Sequence, residues 1–356
     1  MQKISTAEEF DLIARAREGD ERAYEELIEC HRAELHAHCY RMLASAHDAD
    51  DAVQEALIRA WRGLAGFESR SSVRTWLFKI ATNASFDLLK KRSRRDLPID
   101  RGRPARAGES PGDAQLDASW IEPYPDRLVE PGERSPHARY EARESLELAF
   151  IAVIQNVPTR QRAVLILREV LGYSAQETAE LLETSVAAVN SSLQRARSAI
   201  GDRLPTTSQS EELSRLGDDA VQELARRYSE AIDHADVPGI VALLTDDATW
   251  SMPPHPAYYQ GRRAIERFHE DDVSSVRWRH RTTSANGQLA VGCYIFDEER
   301  GSYVGSVLDV LTLRDGLIEQ VTAFFSAEGL GRSKDRDGYV DAVDFAEFGL
   351  PIEIVE

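Results

Sequence analysis

Asn190, Ser191, Gln194, Arg195 and Arg197 have the types and spacing to read DNA. In the same stretch Val186, Val189, Leu193, Ala196 and Ile200 step by three and four residues, the signature of one buried helical stripe. The opposite face carries Ala187, Ser191, Gln194, Arg195 and Ser198, with Asn190 and Arg197 on one edge. Small residues let a helix approach a major groove closely, and Asn, Gln and Arg supply base-edge and phosphate contacts. A plain helical hairpin with a polar outside has the same pattern. A second group, Asp50, Asp51, Gln54, Glu55 and Arg59, forms an acidic polar face opposite Ala49, Ala52, Val53, Ala56, Leu57 and Ala60. By composition alone it reads as a solvated helix side rather than a docking face. A third places Trp76, Lys79, Asn83, Phe86 and Lys90 near one helical face, followed by the basic run Lys90–Arg95. Rings that stack on bases and cations that hold phosphates suit unstacked single-stranded DNA; the same rings could simply be core.

The elements that must position these groups are marked by their ends. Pro158 opens a helix expected to run to Leu171 and stop at Gly172. Ser174 and Glu177 form a capping box for a short helix to about Leu182, Glu183-Thr184 make the turn, and Ser185 caps the next helix. This is a helix-turn-helix. Upstream, helical periodicity runs from Glu8 to about Arg95. Residues 96–136, punctuated by Pro and Gly, read as an acidic linker that sustains neither helix nor sheet, with an apolar island Trp120–Pro125 suited to docking on a neighbour. Pro205 to Ser210 read as a second linker. Helices over about 212–234 and 237–245 then precede strands near Leu289–Phe296, Ser302–Leu313 and Leu317–Phe325, an α+β order.

Composition sets outer limits. The chain has 356 residues, 42% hydrophobic and 29% charged, which fits two or three globular domains. No run approaches a membrane span and residues 1–20 lack the apolar core of a signal peptide, so a cytoplasmic protein with no membrane partner is expected. Three scattered cysteines make no disulfide framework. The net charge of −18 would argue against nucleic acid, but residues 205–356 carry −14 of it and residues 1–95 are neutral. Cys30, His31, His36, His38 and Cys39 look like zinc ligands. On a helix they point at about 0°, 100°, 240°, 80° and 180°, so four cannot converge on one ion. No metal and no cofactor is expected.

Three features in order resemble the extracytoplasmic-function (ECF) class of RNA polymerase sigma factors: the Asp50-Asp-Ala-Val-Gln-Glu…Arg-Ala-Trp61 helix, the Ser72-Val-Arg-Thr-Trp-Leu-Phe-Lys-Ile-Ala-Thr-Asn83 helix, and the Pro158-Thr-Arg-Gln-Arg…Gln-Arg-Ala-Arg197 unit. The resemblance covers about residues 5–204. It implies that Asp50, Asp51, Gln54, Glu55 and Trp61 dock on the clamp of the polymerase beta-prime subunit. It further implies that Phe67, Ser71, Ser72, Trp76, Lys79 and Asn83 capture flipped bases of the −10 element, and that Asn190, Ser191, Gln194, Arg195 and Arg197 contact the −35 element. Many members have an Arg where this helix has Asn190 or Gln194, so a promoter sequence cannot be transferred. An ordinary helix-turn-helix regulator fused to a ligand-binding or enzymatic domain is the alternative.

The Tyr228-Ser-Glu-Ala-Ile-Asp…Gly239…Trp250-Ser-Met252 stretch resembles the SnoaL-like and ketosteroid isomerase family, a cystatin-like cone around an apolar pocket. Lining up the motifs puts Tyr228 and Asp309 at that family's oxyanion donors and Met252 at its base. A thioether takes no proton, so that isomerisation is expected to be absent and no catalytic residue is assigned; His255 or Asp233 would have to serve any other reaction. Tyr228, Trp250, Met252, His255 and Asp309 are expected around the pocket. The whole is read as a multidomain chain, two all-α domains followed by an α+β cone. The expected layout is sigma domain 2 at 1–95, linker 96–136, sigma domain 4 at 137–204, linker 205–213, SnoaL-like domain 214–330 and tail 331–356. An intramolecular contact of the cone with the sigma domains is expected to modulate activity.

Overall fold

The structure is a computed structural model that describes residues 6–67, 71–116, 118–129, 143–326, 329 and 343–355. The chain divides into two compact units. The first takes Met1–Arg94, Leu128–Ser145 and Val153–Leu204; the second takes Arg95–Arg127, Leu146–Ala152 and Pro205–Glu356.

In the first unit, capping residues fix the helices. Helix α1 (Thr6–Arg17) precedes α2 (Glu21–Leu43), whose first turn is closed by the Asp20 side chain accepting from Ala23 N. Ser45 caps α3 (Ala46–Gly63) and Ser72 caps α4 (Val73–Leu89) in the same way. Ala49, Ala52, Val53, Ala56 and Ala60 of α3 are buried, so small side chains let α3 pack closely on its neighbours. The one-turn α5 (Pro98–Arg101) belongs to the second unit, and α6 (Leu148–Gln155) is divided, with its residues from Val153 on falling in the first. Helix α7 (Thr159–Leu165) passes into a π-turn at Ile166–Val170, so the expected helix to Leu171 is not uniform. Helix α8 (Ala175–Leu181) has the Ser174/Glu177 capping box, and α9 (Val186–Ile200) is capped by Ser185. Val189, Leu193, Ala196 and Ile200 are buried as expected, but Val186 in the first turn is 37% exposed. Arg162 of α7, 4% exposed, binds the Met42, Gln155 and Val157 carbonyls, stapling the end of α2 to the helix-turn-helix.

The second unit is a mixed sheet with helices on it. Helices α10 (Gln209–Leu216) and α11 (Asp218–Asp233) break at Gly217 (φ +79°), where one helix was expected. Helix α12 (Val237–Ala242) gives way to a strand already at Leu244, short of the expected helical end at 245. The strands are β1 (Leu244–Ser251), β2 (Tyr258–Gln260), β3 (Trp278–Ala285), β4 (Gln288–Asp297), β5 (Ser302–Arg314), β6 (Leu317–Phe325) and β7 (Glu353–Ile354), with α13 (Arg262–Phe268) between β2 and β3. Their order is β2-β1-β6-β5-β4-β3, and β7 pairs with β5. Only β1 with β6 is parallel; the other pairs are antiparallel. Helix α11 lays Leu224, Ala225, Tyr228, Ala231 and Ile232 on the sheet, an i, i+1, i+4, i+7, i+8 stripe. The opposite face of β4 and β5 is covered by the segment from Val343 to Leu350. A Cβ at Gly305 would lie 2.7 Å from the Phe345 ring, so a glycine is required there.

The stretch read as a linker without structure is built into this unit through Arg127. Besides α5 it makes bridges Asp96–Trp120 and Pro125–Ala285. The apolar island docks as expected: Trp120, Ile121 and Tyr124 are buried. Tyr124 N donates to Asn286 Oδ1 (2.8 Å) and Asn286 N donates back to Tyr124 O (2.9 Å). Prolines deny this segment regular structure, but cross-chain partners satisfy its backbone. The rest of the expected linker, 130–136, lies outside the described residues.

Candidate functional site

On α9 the five residues expected to contact DNA, Asn190, Ser191, Gln194, Arg195 and Arg197, are all exposed, with Asn190 and Arg197 at the edge of the polar face. Arg195 is held by Ser191 Oγ (2.8 Å) and Arg197 pairs with Glu169 (2.8 Å). Both pairs are solvent-exposed and therefore weak enough for a phosphate to displace. The first turn, with Ala187 and Ala188 also exposed, offers small side chains for close approach.

On α3, Asp50, Asp51, Gln54 and Glu55 share the exposed face. Asp50 lies 3.2 Å from His36 Nε2, which lowers its pKa, and Glu55 is held by Arg59 (2.6 Å). Trp61 is half-buried, tilted on Tyr24 with ring centroids 4.9 Å apart. Ile58, missed in the sequence reading, is 47% exposed on this helix beside the acids. An apolar position off the Ala/Leu stripe was the available signal.

The third group is less open. Ser71, Ser72 and Asn83 are exposed, and Trp76 is half-buried. Phe67 is 5% exposed, its ring 4.8 Å from that of Trp76, so it supports Trp76 rather than presenting its own face. Lys79 Nζ pairs with Glu183 of the helix-turn-helix turn (2.8 Å), holding the Glu183 carboxyl low. Arg74 bridges Glu34 (2.8 Å) and the Tyr173 hydroxyl (3.1 Å), its guanidinium 4.7 Å over the Phe78 ring. The basic run is engaged too: Arg92 pairs with Asp48 (2.8 Å) and Arg95 with Glu122 (2.9 Å).

The supposed zinc ligands diverge. His36 faces Asp50, while His38, buried and neutral with its pKa pushed down to about 3, faces Thr82 Oγ1 (2.9 Å). No group of three or more His, Cys, Asp or Glu side chains among the described residues could hold a metal.

In the second unit the sheet and α11 enclose a cavity of about 220 Å³. Trp250, Met252, His255 and Asp309 are among the residues that line it. Tyr228 does not. It sits fully buried behind Asp309, donating to its Oδ2 (2.7 Å), while Cys293 Sγ donates to the same oxygen (3.2 Å). Burial raises the Asp309 carboxyl toward the neutral acid and pushes the Tyr228 phenol well above its usual value. Two oxyanion donors side by side are thus replaced by one acid with a phenol behind it. The sequence reading missed His280, whose Nδ1 lies 2.7 Å from Asp233 Oδ1. A signal existed: Trp278 and His280 alternate with Arg277, Arg279 and Arg281, so a strand turns both inward. His269, with its pKa pushed down to about 3 by burial, packs edge-on to Trp250 at 4.6 Å.

Capped helices presenting an acidic face, a helix-turn-helix and a cone define a sigma-70-type chain with a SnoaL-like extension. The chain matches the models for sigma-70 region 2 over residues 27–95, sigma-70 region 4 over 147–200 and the SnoaL-like domain over 225–321. It is 39% identical over 338 residues to the ECF RNA polymerase sigma factor SigG of Mycobacterium tuberculosis, covering 94% of this chain and 85% of that one. The chain belongs to the ECF RNA polymerase sigma factors. It is 28% identical over 194 residues to the ECF RNA polymerase sigma factor SigW of Bacillus subtilis, covering 54% of this chain and 94% of that one. The crystal structure of the extracytoplasmic function sigma factor SigJ of M. tuberculosis has the same fold: TM-score 0.54, 20% identity, 85% of this chain and 97% of that chain covered. Among the described residues no helix is long and apolar enough to cross a membrane.

Proposed function

We propose that this chain is a cytoplasmic transcription initiation factor that binds core RNA polymerase through α3, reads the −35 element with α9 and engages the melted −10 element through α4. The observation that carries this reading is the exposed face of α9, where Asn190, Ser191, Gln194, Arg195 and Arg197 stand together over a buried apolar stripe. Asp50, Asp51, Gln54 and Glu55 offer the polymerase clamp an acidic face, with Ile58 as an apolar anchor. On α4 and just before it, Trp76, Asn83, Ser71 and Ser72 are the open groups for flipped bases; Lys79 joins them once DNA phosphate displaces Glu183 from a solvent-exposed, weak pair. The cone supplies no chemistry of its own, because a thioether stands where the base should be and the buried acid is already satisfied by Tyr228 and Cys293. It modulates the sigma modules instead.

The test is run-off transcription by the full chain with purified core polymerase on promoters selected from genomic DNA. Asp51→Arg abolishes polymerase binding and leaves DNA binding intact. DNA binding with transcription unaffected by Asp51→Arg would favour the ordinary helix-turn-helix regulator and overturn the reading.

A further inference from the structure

The cavity of the cone has an apolar wall and one open polar point. His280 lines it, its side chain only 1% exposed. Its Nδ1 is 2.7 Å from the Asp233 carboxylate, which can only accept, so Nδ1 carries a proton and donates. That leaves Nε2, which is buried and has no hydrogen-bond partner among the described residues. A buried polar nitrogen on a cavity wall without a partner is uncommon, and its natural complement is a hydroxyl from outside the chain, which can donate or accept. The rest of the wall is mostly apolar, with Ile232, Trp250, Phe268 and Val307 among its residues, and Asp309 is its other buried polar group. An anion would meet the Asp272 carboxyl on the wall and the Asp233 carboxyl behind His280; a cation would find Nε2 a weak partner. A neutral body with a single hydroxyl fits both the wall and the point. Scaling from the roughly 150 Å³ that holds benzene, about 220 Å³ holds on the order of nine heavy atoms.

The mouth is crossed by chain that lies between the two sigma modules in sequence. Pro111 is part of the cavity wall. On either side of it the segment 102–115 is laced to the β1–β2 region: Ala105 N to Tyr258 O (2.8 Å), Tyr259 Oη to Glu109 O (2.8 Å) and Gln115 N to Pro254 O (3.0 Å). His255, itself on the wall, donates from Nδ1 to Gly112 O (2.8 Å). A molecule in the cavity therefore touches the strap and the side chain that holds it.

We propose that the cone is a receptor for a neutral, largely apolar molecule of phenol or alcohol type, whose hydroxyl pairs with His280 Nε2 and whose body tightens the 102–115 strap over the mouth. The class of ligand and the strap rest on this cavity alone. Only the transcriptional consequence rests on the sigma-factor reading, and binding needs no polymerase to be measured.

The probes are 4-ethylphenol and 4-ethyltoluene, of the same size and shape but for the hydroxyl, titrated into the full chain by calorimetry. The phenol binds saturably, about tenfold more tightly than the hydrocarbon, the return on one hydrogen bond to a buried nitrogen. His280→Leu removes that difference. Ile295→Trp, which fills the half-buried rim, abolishes binding of both while the thermal transition stays cooperative. The bound phenol slows tryptic cleavage at Arg106 at least threefold. Equal affinities, no saturable binding at millimolar probe, or binding undiminished by Ile295→Trp would overturn the ligand assignment. Cleavage unchanged by saturating phenol would overturn the strap.

Discussion

Asn286 is the residue on which the 95–127 segment depends most directly, and replacing it with alanine puts that dependence to measurement. Its side chain is fully buried, accepting from Tyr124 N at 2.8 Å and donating to Leu146 O at 2.7 Å. Alanine leaves both backbone groups without their partner. An orphaned buried donor or acceptor costs about 1–3 kcal/mol, so the pair costs about 2–6 kcal/mol. The position also has φ +56°, which asparagine tolerates and alanine does not, adding about 1 kcal/mol. A total near 3–7 kcal/mol is a large share of a domain's usual 5–15 kcal/mol. Asn286→Gly keeps the backbone geometry available and isolates the hydrogen-bond part. In a unit of this size about 3 kcal/mol lowers Tm by roughly 6–12 °C. The companion assay is trypsin digestion at Arg101 and Arg106, whose rate follows local opening of the segment. Both variants should lose Tm and be cut faster, alanine more than glycine. If Asn286→Ala shifts Tm by less than about 2 °C and leaves the tryptic pattern unchanged, the segment is not held as described.

Further outcomes follow from other residues. Arg195→Ala should weaken promoter binding without changing polymerase affinity, and in a salt titration of binding should reduce the slope by about one released ion, the value for a lost phosphate contact; an unchanged slope would mean Arg195 stays with Ser191. Arg162→Leu, by stranding the carbonyls of Met42, Gln155 and Val157, should cost about 3–5 kcal/mol in urea unfolding, and a cost below about 1 kcal/mol would refute the staple. His269 gives a pH dependence. Its folded pKa of about 3 lies below the unfolded 6.5, so the unfolded chain takes up the proton first and stability present above pH 6.5 drains away as pH falls toward 3. At pH 5 that amounts to about 2 kcal/mol, so His269→Phe should lose about 2 kcal/mol less than the parent between pH 7 and 5; equal losses would show that the ring is not kept neutral.

Local signals carried the helical half of this chain into view. Ser174 with Glu177, Ser185, and the Val189–Leu193–Ala196–Ile200 stripe each rest on interactions within one or two turns, which is why spacing reveals them. Val186 escaped the stripe because the first turn of α9 projects beyond the neighbours that cover the rest. Gly217 splits the helix expected over 212–234, an effect of one residue with positive φ that periodicity averages away. The 96–127 segment was read from its prolines alone, whereas its order comes from partners such as Asn286, 162 residues distant from Tyr124. The same holds for the pocket. Tyr228 and Asp309 were found together, but which of them reaches the cavity depends on the depth at which α11 sits on the sheet. His280 with Asp233 joins a strand to a helix across 47 residues, beyond any local pattern.

The seating of Tyr124 on Asn286 also sets a timetable for the ribosome. At about 5–20 residues per second, the 162 residues between them take roughly 8–30 s to synthesise. Throughout that interval Tyr124 has emerged without the residue that seats it, and Phe345 arrives later still. The helical modules can fold as they appear, but the cone closes only when nearly the whole chain is out. A nascent chain stalled in between would display an apolar patch, the kind of surface that chaperones and proteases recognise. Loss of the last dozen residues would then be read by the cell as incomplete folding rather than as a shorter factor.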